Sequence, residues 1–179
     1  MKLPKILSAV LLLLGFSAQG AIAQCQAQYE RVWGKAHIYA DALGADCGKS
    51  VLVLTVRDVK GNVLWASVHR SVDLLSFQDS GKLNAQSMKA RLGEWVAEQQ
   101  GRANSGALPD WPSSAKDGTL PPEAEFPFRV AEGMERKDYL LLRKAKLPVL
   151  CFVAGMESER CLVLNGSDVT EIGTQSFPG

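Results

Sequence analysis

Motifs that identify an enzyme are scarce in this sequence. Its 179 residues include only two histidines, His37 and His69, and neither has a partner at metal-ligand spacing. Zinc sites built from three histidines or from an HExxH helix are therefore excluded. The chain also lacks the GxSxG turn of serine hydrolases, a phosphate-binding loop and a dinucleotide-binding fingerprint. These absences exclude the common motif-defined enzymes, and no metal or organic cofactor is predicted.

An excess of charge of either sign is also absent. The chain has 20 lysines and arginines against 19 aspartates and glutamates, for a formal net charge of +1. Removal of the leader described below, which holds two lysines and no acid, changes that net charge to −1. A nearly neutral chain has no electrostatic field for collecting nucleic acid or anionic lipid. Nucleic acid is therefore not predicted as a partner.

Long apolar runs are missing except at the N terminus, where residues 6–16 are mostly apolar. This run is shorter than the roughly 20 residues that a transmembrane helix needs. Lys2 and Lys5 precede it, and small residues follow it at 21 and 23. This order of charge, apolar run and small residues is typical of a secretory signal peptide. Residues 1–23 are therefore predicted to be a leader that is cleaved after Ala23.

Residues 24–179 are predicted to form one domain of ordinary size. No other segment approaches the length of a membrane span, so the mature protein is not expected to insert into a membrane. Lipidation of Cys25 is the weaker alternative to simple cleavage, because Gln24 stands where a small residue normally precedes a lipidated cysteine. The sequence therefore predicts a protein of the periplasm or the external medium.

All four cysteines follow the predicted cleavage site, and an even number of cysteines in an exported chain predicts disulfides. Structural zinc sites normally pair cysteines two to four residues apart, and redox motifs place two residues between them. The spacings here fit neither arrangement. The pairing favoured by the sequence joins Cys25 to Cys47 and Cys151 to Cys161.

The C-terminal pairing rests on a predicted hairpin. Residues 148–154 and 159–164 are strand-like and flank a short turn, which places Cys151 opposite Cys161. Facing positions on antiparallel strands have separations compatible with a disulfide. A further strand at 169–173, after the turn signal of Asn165 and Gly166, would extend this hairpin into a three-stranded meander.

A second hairpin and two helices complete the predicted fold. Residues 51–57 and 63–69 are β-rich runs around a glycine-containing turn. An amphipathic helix is predicted at 85–100, with apolar residues spaced by three and four positions. A second helix is predicted at 135–146, whereas 26–46 is ambiguous between helix and strand. The fold class is therefore α+β, with antiparallel hairpins and a meander packed against one or two helices and linked by disulfides.

Residues 101–125 contain four prolines together with glycines and serines, and they predict a long surface excursion from the single domain. The alternative is a linker between two small units, 24–100 and 126–179. An exposed Trp111 in this excursion would anchor a partner protein or stack on a sugar. The alternative is that Trp111 holds the excursion against the core. Phe128 and Arg129 follow where the chain re-enters the fold. These three residues are the predicted binding site, and the expected partner is an envelope protein or a cell-wall component.

Candidates for catalysis are few. His69, Ser71 and Asp73 would alternate onto one face of a continued strand, where they resemble a polar sheet surface as much as a triad. Glu132 and the two acids that follow it at helical spacing offer carboxylates for glycoside cleavage, but such acids are also typical of a solvated first turn. The sequence therefore predicts an exported, non-catalytic binding or accessory protein. The alternative is a small secreted hydrolase that uses His69 or the acids around Glu132.

Overall fold

The computed structural model describes residues 25–78, 81–97, 104–121 and 124–178. The predicted leader, residues 1–23, lies outside these ranges. Within them, none of the helices combines the length and the apolar character that crossing a membrane requires. The described chain contains two antiparallel sheets and two α-helices, which confirms the predicted α+β class.

The first sheet has four strands in the order in which they follow along the chain. They are β1 (Cys25–Trp33), β2 (Ala36–Gly44), β3 (Val51–Asp58) and β4 (Val63–Arg70). The ambiguous segment 26–46 is thus a hairpin, and Gly34 occupies its turn with φ +59°. A helix would place Val32 and Trp33 on one face, but Val32 is 64% exposed and Trp33 is buried. The period-two alternation of a strand explains this difference.

The second sheet has five strands in the order β5-β6-β9-β8-β7. They are β5 (Thr119–Leu120), β6 (Phe128–Val130), β7 (Val149–Val153), β8 (Ser158–Asn165) and β9 (Asp168–Ser176). The predicted C-terminal meander is confirmed, and Cys151 faces Cys161 in the register of β7 and β8. Both predicted disulfides, Cys25–Cys47 and Cys151–Cys161, are present, and the described residues include no free cysteine. Two disulfides indicate an oxidising, extracytoplasmic environment.

The two helices are α1 (Ala85–Trp95) and α2 (Arg136–Ala145). Helix α2 lies within the predicted 135–146. Helix α1 begins as predicted after Asn84 but ends at Trp95, because Val96 has left helical geometry with φ −105° and ψ 9°. The predicted end at residue 100 lies outside the described residues. The indole N–H of Trp95 donates a 2.8 Å hydrogen bond to the carbonyl of Val153, which joins α1 to the second sheet.

Two apolar cores lie on opposite faces of the second sheet. The first core combines the inner face of the first sheet, the buried stripe of α1, and four side chains of β7 and β8: Leu150, Phe152, Leu162 and Leu164. The second core lies between the other face of the second sheet, helix α2 and the segment 104–121. That segment therefore belongs to the packed structure, since it contributes four buried apolar side chains: Leu108, Trp111, Ala115 and Leu120.

Candidate functional site

Trp111 is buried in the second core. Its side chain is 7% exposed, and its ring meets Tyr139 edge to face at a centroid distance of 5.5 Å. Its indole N–H donates a hydrogen bond to the carbonyl of Ala115. A side chain with all these internal contacts holds the segment against the core. This agrees with the interpretation in which Trp111 fixes the excursion and does not anchor a partner. A partner would have to displace the segment to reach the indole.

Helix α2 holds the segment 104–121 through its main-chain carbonyls. Three side chains on one face of the helix donate hydrogen bonds of 2.7–2.8 Å: Arg136 Nε to Trp111, Tyr139 Oη to Pro109 and Arg143 Nε to Leu108. Irregular backbone that is packed against a core needs such partners for its polar groups. The three donors are spaced by three and four residues, which places them on one face of a helix. This spacing is visible in the sequence and could have indicated that α2 packs against another segment.

The structure does not bring the three predicted binding residues to one surface. Phe128 lies in β6, is fully buried and contacts Tyr139 at a centroid distance of 6.4 Å. Arg129, the next residue of the strand, points to the opposite side and is exposed. Of the three, only Arg129 is available for direct contact with a partner. Partner binding through this region stays a prediction.

His69, Ser71 and Asp73 do not form a triad. A triad would need β4 to continue through Asp73, but the strand ends at Arg70 and Ser71–Asp73 is a 3-10 turn, so the alternation that would align the three residues is lost. The hydroxyl of Ser71 donates to the carbonyl of Gly48 at 2.9 Å. Both carboxylate oxygens of Asp73 accept hydrogen bonds from Arg70 at 2.7 Å.

His69 instead lies at the junction of the two sheets. Its Nε2 is 2.9 Å from the hydroxyl oxygen of Ser67, which is on the same face of β4. Its ring meets Trp95 and Phe152 edge to face at 5.6 and 5.9 Å. Burial, and then the charge of Arg160, lower the pKa of His69 below its ordinary value. A serine hydroxyl beside an imidazole nitrogen is the arrangement of a nucleophile and its base. A histidine among aromatic rings is also typical of a protein core.

The acids around Glu132 are distributed over an exposed turn. Glu132, Glu135 and Asp138 are all exposed. Glu135 is the N-cap residue of α2, and its carboxylate pairs with Lys137 at 2.8 Å. Asp138 lies in the first turn, where a negative charge is favourable beside the helix dipole. This arrangement matches a solvated helix start.

A cleft of about 520 Å³ lies at the end of the first sheet, between the two short 3-10 turns that follow β2 and β4 and the start of α1. One wall is the disulfide between Cys25 and Cys47. Val72 and Leu83 supply apolar surface on the other sides, and two lysines and one aspartate line the same cleft: Lys49, Lys82 and Asp46. No sequence motif pointed to this site, because its walls come from residues 25, 46–49, 72 and 81–85, which are distant from one another in the chain.

The floor of the cleft is held in place by local hydrogen bonds. Asp46 caps the turn Cys47–Lys49 by accepting from the main-chain N–H of Gly48 at 2.8 Å. Ser71, which is buried, bonds to this region twice, through its hydroxyl to Gly48 and through its main-chain N–H to the carbonyl of Ser50 at 2.9 Å. The disulfide ties the same turn to β1. The two turns therefore form one rigid unit.

On the α1 side of the cleft, the main-chain N–H groups of Asn84 and Ser87 have partners within the helix start. Asn84 accepts from the main-chain N–H of Ser87 at 3.0 Å, and the Ser87 hydroxyl accepts from the main-chain N–H of Asn84 at 2.9 Å. This reciprocal capping box satisfies donors at the helix start. Within the described chain, neither Lys49 nor Lys82 has an ion-pair partner. The two ammonium groups are thus cationic groups of the cleft that are available to a ligand.

Similarity to other proteins adds no functional information. The chain matches no protein-family model, no curated protein and no solved structure at a significant level.

Proposed function

We propose that the chain is an exported, non-catalytic binding protein of the periplasm or the external medium, directed there by residues 1–23, and that its ligand site is the cleft beside the Cys25–Cys47 disulfide. The observation that carries this proposal is the cleft itself. Its volume of about 520 Å³ lies within the range of roughly 300–1,000 Å³ that is typical of small-molecule sites. Its lining combines apolar side chains with a few polar groups, as such sites usually do.

The rigidity of the cleft supports the same proposal. A disulfide, a capped turn and the paired hydrogen bonds of Ser71 fix its walls without a ligand. A preformed site loses little conformational entropy when a ligand enters. Among the residues that the structure describes, the lining includes no serine, threonine, histidine or free cysteine, which supports binding without covalent chemistry.

The test is a fragment screen on protein that has been exported to an oxidising compartment, so that both disulfides form. Amide chemical shifts from ¹⁵N-labelled protein should change on binding at Lys49, Val72 and Leu83. Val72→Asp should abolish these changes, since Val72 is 43% exposed in the cleft and the substitution places a charge on its apolar wall. The matched control is Val68→Asp, at a position 67% exposed on the outer face of β4.

Two results would overturn the proposal. One is that every fragment that binds perturbs a surface away from the cleft. The other is that Val68→Asp and Val72→Asp weaken binding equally, because the effect would then come from added negative charge and not from the cleft.

A second candidate function, a hydrolase, is favoured by one contact, the 2.9 Å approach of Ser67 and His69. A neutral imidazole within hydrogen-bond distance of a serine hydroxyl can act as its base. A fluorophosphonate probe should then label Ser67 and lose its target in Ser67→Ala and His69→Ala, but not in the exposed control Ser113→Ala. An unlabelled protein, together with no turnover of esters, peptides or glycans, would remove this candidate.

A further inference from the structure

The lining of the cleft indicates the chemistry of its ligand. We infer that the cleft takes an amphiphile with one anionic head group, a carboxylate or a phosphate, and an apolar chain of about ten carbons. The inference rests on the proposed function, because it concerns the same cleft. It is carried by the placement of two cationic side chains beside exposed apolar surface.

The charges favour an anion. Lys49 and Lys82 line the cleft, and Asp46 is the only acid among the described residues that line it. The Asp46 carboxylate is already engaged by the main-chain N–H of Gly48, with which it caps the adjacent turn. The described residues provide no carboxylate partner for either lysine. An anionic head group would therefore be attracted by two ammonium groups that have no internal ion-pair partner.

We attribute the positive charge of the cleft to its lysines and not to the start of α1. The side chains of Asn84 and Ser87 bond to each other's main-chain N–H groups, so two of the donors at the helix start are engaged within the helix. Main-chain N–H groups point in fixed directions and would select one head-group geometry. Flexible lysines act as point charges and can bind anions of different shapes. The expected specificity is thus for charge, with carboxylate and phosphate both bound.

The apolar part of the cleft favours a chain attached to that head. Val72 is 43% exposed although it lies next to buried structure, and Leu83 is half-buried on the facing side. Cys25 and Cys47, which are joined by the first disulfide, also line the cleft. A volume of about 520 Å³ holds on the order of 17 groups of the size of a water molecule, at about 30 Å³ each. A ten-carbon chain with its head group fits this volume.

The experiment compares ten-carbon ligands by titration calorimetry, below their micelle-forming concentrations, on the exported protein with both disulfides. Decanoate and decyl phosphate carry the two anionic heads, decanol carries none, and decyltrimethylammonium carries a cation. Both anions should bind about tenfold or more tightly than decanol, since each exposed lysine contributes about fivefold. The cation should bind more weakly than decanol. The advantage of the anions should shrink as salt rises, because the lysines are solvent-exposed.

The matched variants are Lys49→Gln with Lys82→Gln, against Lys89→Gln on the exposed side of α1. The double variant should bring the affinity for decanoate close to that for decanol, and the control should leave it unchanged. All three substitutions are at exposed positions, and equal melting temperatures would show that each variant is folded.

The outcomes separate this inference from the proposed function. If decanol binds as tightly as decanoate and the double variant changes nothing, the anionic head is refuted while the cleft remains a ligand site. If none of the four amphiphiles binds but the fragment screen finds ligands at Val72 and Leu83, the chain-and-head inference fails alone. If no compound of either kind perturbs the cleft, both the inference and the proposed function fail.

Discussion

Replacing Trp111 by alanine tests whether the segment 104–121 is part of the packed structure. The indole is 7% exposed, meets Tyr139 edge to face and donates a hydrogen bond to Ala115. Truncation of a buried aromatic side chain to alanine typically costs about 3–5 kcal/mol, which includes the cavity that is left. The ring contact contributes about 0.5–1.5 kcal/mol beyond burial, and loss of the hydrogen bond leaves the carbonyl of Ala115 without this partner. Partial collapse of the segment into the cavity would reduce the loss of stability.

These terms predict a loss of about 4 kcal/mol in the free energy of unfolding of the Trp111→Ala variant. For a domain of this size, 1 kcal/mol changes the melting temperature by about 2–4 °C, so the expected decrease is about 8–16 °C. Urea unfolding followed by far-UV circular dichroism gives the free energy, and calorimetry gives the melting temperature. Amide exchange should also become faster in residues 104–121.

Trp111→Phe is the matched control. It keeps an aromatic ring against Tyr139 but removes the N–H that bonds to Ala115, so its expected loss is about 1–2 kcal/mol. A loss below about 1 kcal/mol for Trp111→Ala would refute the reasoning, since no well-packed tryptophan is removed so cheaply. The interpretation of Trp111 as a partner anchor would then regain support, and capture of an envelope partner by wild type but not by the variant would establish it.

Three further predictions concern stability. Burial, and then a nearby arginine charge, lower the pKa of His69, so protonation of the imidazole is disfavoured in the folded state. The contribution of the neutral His69 to stability is therefore fully present above the unfolded pKa of about 6.5, and it is lost as the pH decreases below that value. His69→Gln should show a smaller decrease in melting temperature between pH 7.5 and pH 5 than wild type, and equal decreases would contradict the assignment. Gly173→Ala places a Cβ atom 2.6 Å from the ring of Phe128, at a residue with φ +154°. The free energy of unfolding in urea should therefore decrease by about 3 kcal/mol. A decrease below about 1 kcal/mol would be inconsistent with this packing. Removal of the first disulfide by Cys25→Ser with Cys47→Ser should lower stability by about 3.4 kcal/mol from loop entropy and should weaken binding in the cleft, whereas an unchanged urea midpoint would argue against the chain-entropy estimate.

The parts of the fold that were predicted correctly depend on short-range patterns. The start of α1 was predicted because Asn84 and the apolar stripe from Met88 to Trp95 lie within a few turns of each other. The register of β7 and β8 follows from a short turn and a pair of cysteines, and the observed pairing of Cys151 with Cys161 confirms it. Local sequence carries such signals because capping, helical periodicity and turn closure involve neighbours in the chain.

Segment 26–46 shows where local pattern fails. Its apolar residues have spacings that suit both a helix and a strand, and the two glycines do not decide between them. Strand pairing in the first sheet decides, because β2 pairs with β3 there and its alternate residues Ile38, Ala40 and Ala42 are fully buried. Strand preference is set largely by such cross-strand packing. The same limitation applies to His69, Ser71 and Asp73, because a 3-10 turn at Ser71–Asp73 stands where a triad would need β4 to continue.

By itself, the sequence determined the α+β class, both disulfide pairings and most strands and helices, since these follow from periodicity, turn chemistry and the spacing of cysteines. It also predicts the leader, on charge and apolar length alone. Only the tertiary structure decided that Trp111 faces inward, that Ser67 and not Ser71 contacts His69, and that Lys49 and Lys82 line one cleft. The physical reason is that burial and convergence depend on contacts between segments far apart in the chain, and a linear pattern does not encode which of its apolar and charged residues will meet.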